Sequence, residues 1–245
     1  MRSLRKLALI ATAAINILCL NLSLAHAAVA FDNAATLTTT TGDGSFDIVP
    51  VGTVRAVVVY VVVDGVNVGI TAVTADGAAL TETADSPTTK LTGEAGSSHC
   101  FFLGSSIPAG TLTIAIDTTL GTEVICAVAV TLTADQDTSV VDTASFTSDN
   151  DSNPSVTLGL GGISSFCMLG ALSGQNNPAS VTPLTNWTSR LENDFGVSNG
   201  VVYTYDTVDT TDVAAGYTAA NDDIILHAVA IRENAAAGGN AAQIF

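Results

Sequence analysis

The feature that most constrains the fold of this 245-residue chain is the run from Arg55 to Asp64. Its eight inner residues are all apolar, and six of them are valine. Valine favours strands, because its branched side chain packs well on a pleated surface. Apolar residues at consecutive positions give a strand two apolar faces, which is typical of a strand that is buried on both sides. The run therefore predicts a central strand with protein packed above and below it.

Similar short apolar runs recur along the chain, with Gly, Asn, Asp and Pro between them. Asp76-Gly77 is a hairpin signal, and Pro108-Ala109-Gly110 is a second turn. No stretch has the 3.6-residue apolar spacing of a helix. The pattern predicts an all-β fold, a single antiparallel β-sandwich or jelly-roll-like domain of roughly ten strands. The predicted strands are 46–49, 55–64, 69–74, 78–83, 98–103, 111–117, 123–133, 163–172, 200–206, 213–218 and 223–232.

The first 27 residues have the composition of a secretory signal peptide. A basic start, Met1 to Lys6, precedes an apolar stretch, and Ala25-His26-Ala27 matches a small-residue cleavage site. The alternative is a retained anchor, which would need about 20 apolar residues. We therefore predict three parts: a signal peptide over 1–27, a β-sandwich domain over 28–234 and a flexible Ala/Gly-rich tail over 235–245. The domain is expected outside the cytoplasm, secreted, periplasmic, on a cell surface or in a virion.

The charge balance restricts the partners of the exported part. Residues 1–27 hold three of the seven Lys and Arg and none of the 23 Asp and Glu, which leaves a net charge of −19. Nucleic-acid affinity comes mainly from Lys and Arg that neutralise phosphates, so a nucleic-acid partner is excluded. The same acidity disfavours anionic membrane surfaces, and no membrane insertion of the mature domain is expected. The expected partners are other surface or virion proteins, or a polysaccharide.

The chain contains no familiar catalytic motif. It has no G-x-S-x-G, no H-E-x-x-H and no Gly-rich phosphate loop. His99 and His227 lie in apolar runs and are interpreted as structural strand residues. A non-enzymatic domain is the expectation, and the rival is a hydrolase whose site the sequence does not reveal.

The three cysteines beyond residue 27 are Cys100, Cys126 and Cys167, each in an apolar run. No C-x-x-C spacing is present, so a zinc site or a redox pair has no support. We interpret them as buried thiols that act as small apolar residues. Export would permit one disulfide among them, and the sequence leaves this open.

Two groups of residues are candidate ligand sites. Tyr203 and Tyr205 share one face of a predicted strand, and with Trp187 they would form an aromatic platform for a sugar ring. The simpler interpretation places Trp187 in the core. Asp149, Asp151 and Asn153 offer oxygen atoms at alternate positions, as in the opening of a calcium loop. Pro154 and Leu160 exclude an EF-hand, which leaves an irregular calcium loop or a solvated turn; no other cofactor is expected.

Several stretches of the chain resemble landmarks of an uncharacterised β-sandwich family of bacterial secreted proteins and phage genomes. In that family a V-T-x-V-x-x-G-x-x-L hairpin precedes a P-x-G-T-x-x-V turn, and a Trp-Thr pair follows late in the chain. The resemblance implies a secreted or virion-associated sandwich and supplies no catalytic residues. The matching stretches are Ile70 to Thr81, Phe102 to Thr113, Ala127 to Thr131, Ala134 to Thr138, Trp187-Thr188 and His227 to Arg232.

These observations lead to one expectation and one alternative. We expect a non-enzymatic, extracytoplasmic structural or adhesive β-sandwich module. The alternative is a carbohydrate-binding module that uses Trp187 and the tyrosine face.

Overall fold

The computed structural model describes residues 28–64, 69–89, 96–119, 124–174, 182–194, 198–218 and 222–235. The predicted signal peptide and all but the first residue of the predicted tail lie outside these ranges. Every regular element of the described residues is a β-strand. No helix that could cross a membrane is found among them. The all-β prediction is confirmed.

The N-terminal half of the described chain, residues 28–134, contains ten strands. They are β1 (Ala30–Thr41), β2 (Gly44–Ile48), β3 (Val54–Asp64), β4 (Ile70–Ala75), β5 (Ala78–Ala79), β6 (Thr81–Glu82), β7 (Thr88–Thr89), β8 (Gly96–Leu103), β9 (Leu112–Thr118) and β10 (Val124–Thr133).

The C-terminal half, residues 138–233, contains eight strands in its described part. They are β11 (Thr138–Asp151), β12 (Ser155–Leu158), β13 (Ser165–Gly174), β14 (Thr182–Pro183), β15 (Trp187–Asp194), β16 (Ser198–Asp209), β17 (Val213–Thr218) and β18 (Asp222–Glu233).

The described strands form four antiparallel sheets. Sheet A has the order β1-β10-β3-β8-β6, with β7 also paired to β8, and sheet B has the order β2-β9-β4-β5. Sheet C has the order β11-β18-β13-β16-β15, and sheet D has the order β12-β17-β14. A single sandwich of roughly ten strands is not confirmed, because the described residues alone form eighteen strands in four sheets.

The sheets stack in the layer order B, A, C, D, with an apolar core between each neighbouring pair. Side chains that alternate along β3 show this: Val58 and Tyr60 enter the core shared with sheet C, while Val57 and Val59 enter the core shared with sheet B. Sheets C and D enclose the third core, around Leu169 and its neighbours. The predicted burial of both faces of the Arg55 to Asp64 run is therefore confirmed.

The two halves repeat one strand order. Sheet A begins β1-β10-β3-β8, and sheet C repeats this order as β11-β18-β13-β16. The outer sheets correspond in the same way, β2-β9-β4 with β12-β17-β14. At the far edge, β6 beside β8 corresponds to β15 beside β16. The chain thus places two similar units face to face through their larger sheets.

Sheets A and C are in close contact at Gly170 on β13. A Cβ atom built there would lie 2.5 Å from Cγ of Tyr60, which is itself buried. We expect Gly170→Ala to lower the free energy of unfolding by about 1–3 kcal/mol, because two packed sheets leave the Tyr60 ring little room to move. Urea unfolding of the variant measures this.

The control for this variant is Gly69→Ala, whose added methyl group would meet Cγ2 of Thr119 at an ordinary 3.6 Å. Its free energy of unfolding should stay within about 0.5 kcal/mol of the wild type. Equal stability of the Gly170 and Gly69 variants would contradict the close packing of sheets A and C.

Candidate functional site

The predicted aromatic site lies inside the protein, between sheets C and D. Trp187 is 6% exposed, and its indole Nε1–H donates a hydrogen bond to the Ala214 carbonyl at 3.0 Å. Tyr203 is fully buried and packs edge-on against Tyr217. Tyr205 is half-buried, and its ring meets the Trp187 ring edge-on with 5.5 Å between centroids. The three side chains do come together, because β15 pairs with β16 and sets Trp187 opposite Tyr205.

This arrangement offers a ligand only part of one ring. A sugar stacks on an exposed aromatic face, and here two of the three rings are covered by sheet D. Burial, with the nearby charge of Glu192 as a second cause, also raises the pKa of Tyr203. Binding by this group of residues stays a prediction.

The predicted calcium loop spans the end of β11 and the turn after it. The Asp149 side chain lies outside the described part of the structure. Asp151 Oδ1 accepts a hydrogen bond from the Asn153 backbone N–H at 2.8 Å, and the Asn153 side-chain amide donates to Ser152 Oγ at 2.9 Å. The described part of this segment therefore has the hydrogen bonds of a polar turn. No group of three or more His, Cys, Asp or Glu side chains arranged for a metal is found among the described residues.

A chain of hydrogen bonds that the sequence analysis did not anticipate joins Ser97, His99 and Glu82. His99 Nδ1 lies 2.7 Å from Glu82 Oε1, and His99 Nε2 lies 2.9 Å from Ser97 Oγ. A carboxylate can only accept, so Nδ1 carries the proton and Nε2 is left to accept the Ser97 hydroxyl proton. We refer to these three residues as the Ser97 array.

The strands fix the geometry of the Ser97 array. Ser97 and His99 are two residues apart on β8 and share one face of sheet A. Glu82 lies on β6, the neighbouring strand, where it is paired with Phe101. The His99 ring stacks nearly parallel to the Phe101 ring, and Ser86 Oγ donates to Glu82 Oε1 at 2.7 Å. Both the imidazole and the carboxylate are therefore held in place by neighbours.

The surroundings of His99 favour its neutral form. His99 is 4% exposed, and burial lowers its pKa from the usual value of 6.5, against the opposing effect of Glu82. Ser97 is 8% exposed at the beginning of β8, and the Glu82 side chain is 32% exposed. The array is thus a buried neutral imidazole between a nearly buried hydroxyl and a partly exposed carboxylate.

An open groove of about 350 Å³ lies beside the carboxylate end of the array. It separates the end of sheet A from β11, so both halves of the chain form its walls. Glu82 and Asp142 supply its charges, and Phe102 and Val140 supply apolar surface. Asp142 already has a partner next to the groove, because its Oδ2 accepts a hydrogen bond from the Gly159 backbone N–H at 2.6 Å.

Part of the signal for the Ser97 array was present in the sequence. Ser97 and His99 alternate at the start of an otherwise apolar strand, which places two polar groups on one face. The third member could not be found this way, because nothing in the sequence states that β6 pairs with β8. The predicted strand 78–83 in fact contains β5 and β6, which belong to different sheets.

The cysteines and His227 are further polar groups of the interior. Cys100, Cys126 and Cys167 are buried and are not linked by a disulfide. Burial raises the pKa of Cys100 and of Cys167 to about 12, so neither is a thiolate at neutral pH. His227 on β18 faces Ser98 across the A–C contact, with Nε2 3.2 Å from the Ser98 carbonyl oxygen.

Comparison with known proteins adds no relative. No protein-family model matches the chain, and no curated protein or solved structure matches it. The resemblance to secreted and phage β-sandwiches therefore stays an expectation.

Proposed function

We propose that this protein is an extracytoplasmic structural or adhesive module, displayed on a cell surface, in a secreted assembly or in a virion. The stacking of four sheets around three apolar cores is the observation that carries the proposal. So much of the chain is interior that the described surface exposes few large apolar side chains, chiefly Val49, Val51 and Ile163. A protein built in this way resists unfolding and presents a polar surface to its partners.

The use of the acidic residues supports a scaffold role. Several carboxylates accept hydrogen bonds from backbone N–H groups of neighbouring segments and thereby fix loops. Three pairs show this. The Gly52 N–H donates to Asp32, the Thr118 N–H donates to Asp43, and the Thr113 N–H donates to Asp76. These aspartates lie at different ends of the sheets and do not converge on one cleft. Their positions are those of loop restraints.

We further propose that each half is a jelly roll. When the main strands of the N-terminal half are counted in chain order, its two sheets read 1-8-3-6 and 2-7-4-5. This order is that of eight strands arranged as two Greek keys. The C-terminal half follows the same order, with β15 at the edge of sheet C. The finer fold is thus a tandem of two jelly rolls in contact through their larger sheets.

The partners we propose are other surface or virion proteins, or a polysaccharide held at the outer sheets or the sheet edges. The excess of acidic residues argues against nucleic acid, because only four basic residues follow residue 27. The carbohydrate-binding alternative through Trp187 is less favoured. It requires two aromatic faces that sheet D covers in the described structure.

Fractionation of the native host tests this proposal. We expect the protein in the extracytoplasmic fraction or in purified particles, in amounts comparable with the other components of that layer or particle. Intact-mass analysis should find a chain that begins at Ala28. Recovery only from the cytosol, with residues 1–27 retained, would contradict both the location and the role.

A further inference from the structure

We propose that Ser97 is an activated nucleophile that attacks acyl and phosphonyl electrophiles, with His99 as the general base and Glu82 as the group that orients it. The inference goes beyond the structural role, and it departs from the expectation of a domain without catalytic chemistry. It rests on two consecutive hydrogen bonds in the order hydroxyl, imidazole, carboxylate, at 2.9 Å and 2.7 Å. A nucleophile bonded to a base, and a base bonded to an orienting group, is the arrangement that serine nucleophiles require.

The direction of proton transfer follows from the donor at one end and the acceptor at the other, because the Ser97 hydroxyl donates and the Glu82 carboxylate accepts. Glu82 fixes the Nδ1–H tautomer of His99, so Nε2 has a lone pair directed at the Ser97 hydroxyl. Ser86 Oγ–H bonds the same Glu82 oxygen and restrains the carboxylate from the other side. Stacking on Phe101 limits rotation of the imidazole. Rigid placement of this kind is what a catalytic group needs, because small displacements cost much of the rate.

The reaction we infer is acyl transfer from an ester to Ser97 and then to water. Ser97 Oγ attacks the carbonyl carbon while its proton moves to His99 Nε2. The alcohol leaves with that proton, and an acyl-serine remains. Water then attacks the acyl-serine and gives its proton to His99, which returns it to Ser97 Oγ as the carboxylic acid departs. Since Ser97 is only 8% exposed, the substrate class we infer is esters of small acyl groups.

Two titratable groups act on His99 from the elements around it: Glu82 on β6 bonds its Nδ1, and His227 lies on β18 across the A–C contact. Asp85, in the segment after β6, acts on His227 and accepts a hydrogen bond from Thr143. Neutral His99 is the active base, and burial keeps its pKa below 6.5. Reactivity of Ser97 is therefore expected to be full at pH 7 and to fall only below about pH 6.5, as His99 gains a proton.

A fluorophosphonate probe tests the proposal on the folded, full-length protein. The Ser97 oxygen would displace fluoride from phosphorus, which adds one phosphonyl group that intact mass detects and peptide mapping places. We expect a single adduct on Ser97 in the wild type and none in Ser97→Ala. The variants His99→Gln and Glu82→Gln should be labelled at least about 100-fold more slowly than the wild type, because they lose the general base or the carboxylate that orients it.

The matched control is Ser98→Ala, which removes the next hydroxyl along β8, on the opposite face of the sheet. Its labelling rate should stay within about twofold of the wild type. Hydrolysis of p-nitrophenyl acetate should be lost with Ser97→Ala and kept with Ser98→Ala. The wild type and Ser97→Ala decide the question even if the other variants do not fold. Absence of a Ser97 adduct in folded wild type, or equal labelling of His99→Gln, would overturn the proposal.

Discussion

Replacement of Trp187 by alanine is expected to lower the free energy of unfolding by about 3–5 kcal/mol. The indole is almost fully buried between sheets C and D, so its removal leaves a large cavity. The change also leaves the Ala214 carbonyl without the donor that it has at 3.0 Å. Domains of this size are stable by about 5–15 kcal/mol, so the variant loses a large part of its stability. Thermal and urea unfolding measure the loss.

Trp187→Phe is the control for this prediction, because it keeps an aromatic ring and removes the N–H donor and part of the volume. Its loss should be clearly smaller than that of the alanine variant. A polysaccharide pull-down with both variants distinguishes a core role of Trp187 from a role in sugar binding. A Trp187→Ala protein that unfolds like the wild type but no longer binds a polysaccharide would favour the carbohydrate-binding alternative over the structural one.

Acid is expected to destabilise the protein through His227. Burial lowers the pKa of His227 from 6.5 to about 4, against smaller opposing effects of the Ser98 carbonyl and of Asp85 and Glu82. Between these two pH values the unfolded chain binds a proton that the folded chain does not, so stability is lost as the pH falls from 6.5 toward 4. The loss is about 2 kcal/mol between pH 7 and pH 5, and roughly 3 kcal/mol in full. His99, whose pKa is also lowered, acts in the same direction.

A His227→Gln variant isolates this effect, because glutamine retains an N–H donor for the Ser98 carbonyl but does not titrate. Its free energy of unfolding should change by about 2 kcal/mol less than that of the wild type between pH 7 and pH 5. The comparison is needed because acid also relieves repulsion within a chain of net charge −16. Equal pH dependence of the two proteins would contradict a buried, neutral His227.

The strands predicted from the sequence lie in all four sheets, and those of the inner sheets A and C have the strongest signal. β3, β10, β13 and β18 lie between two other sheets or strands and are apolar on both faces, so composition alone marks them. Strands β1 and β11 lie at the edges of sheets A and C among the described strands, and they are long but mixed in composition. Their residues, including the polar end of β11, do not have the composition of a buried strand.

The same inner strands already contained the signal for more than two layers. In a two-layer sandwich each sheet has one face on the core, so a strand alternates between apolar and polar residues. The run from Arg55 to Asp64 does not alternate, which requires a further layer over its second face. The pairing of layers A and C still could not be derived, because it depends on contacts such as Tyr60 against Gly170.

The candidate sites, too, could be predicted from the sequence only in part. Strand periodicity places Tyr203 and Tyr205 on one face and offers Trp187 only as a possible third aromatic, and the face that these residues share is directed inward at sheet D. Periodicity states which residues share a face and leaves open what covers it. The Ser97 array depends on one strand pairing and two short distances, which no local pattern encodes.

The short connection between the halves has a consequence for dilute solutions. Four residues, 134–137, separate the end of β10 from the start of β11. A tether of this length holds its two ends at an effective concentration on the order of millimolar. Association of the two units is therefore a unimolecular step whose equilibrium does not depend on how much protein is present. Two separate chains with the same interface would dissociate on dilution, whereas dilution does not change the equilibrium between the two units of this protein.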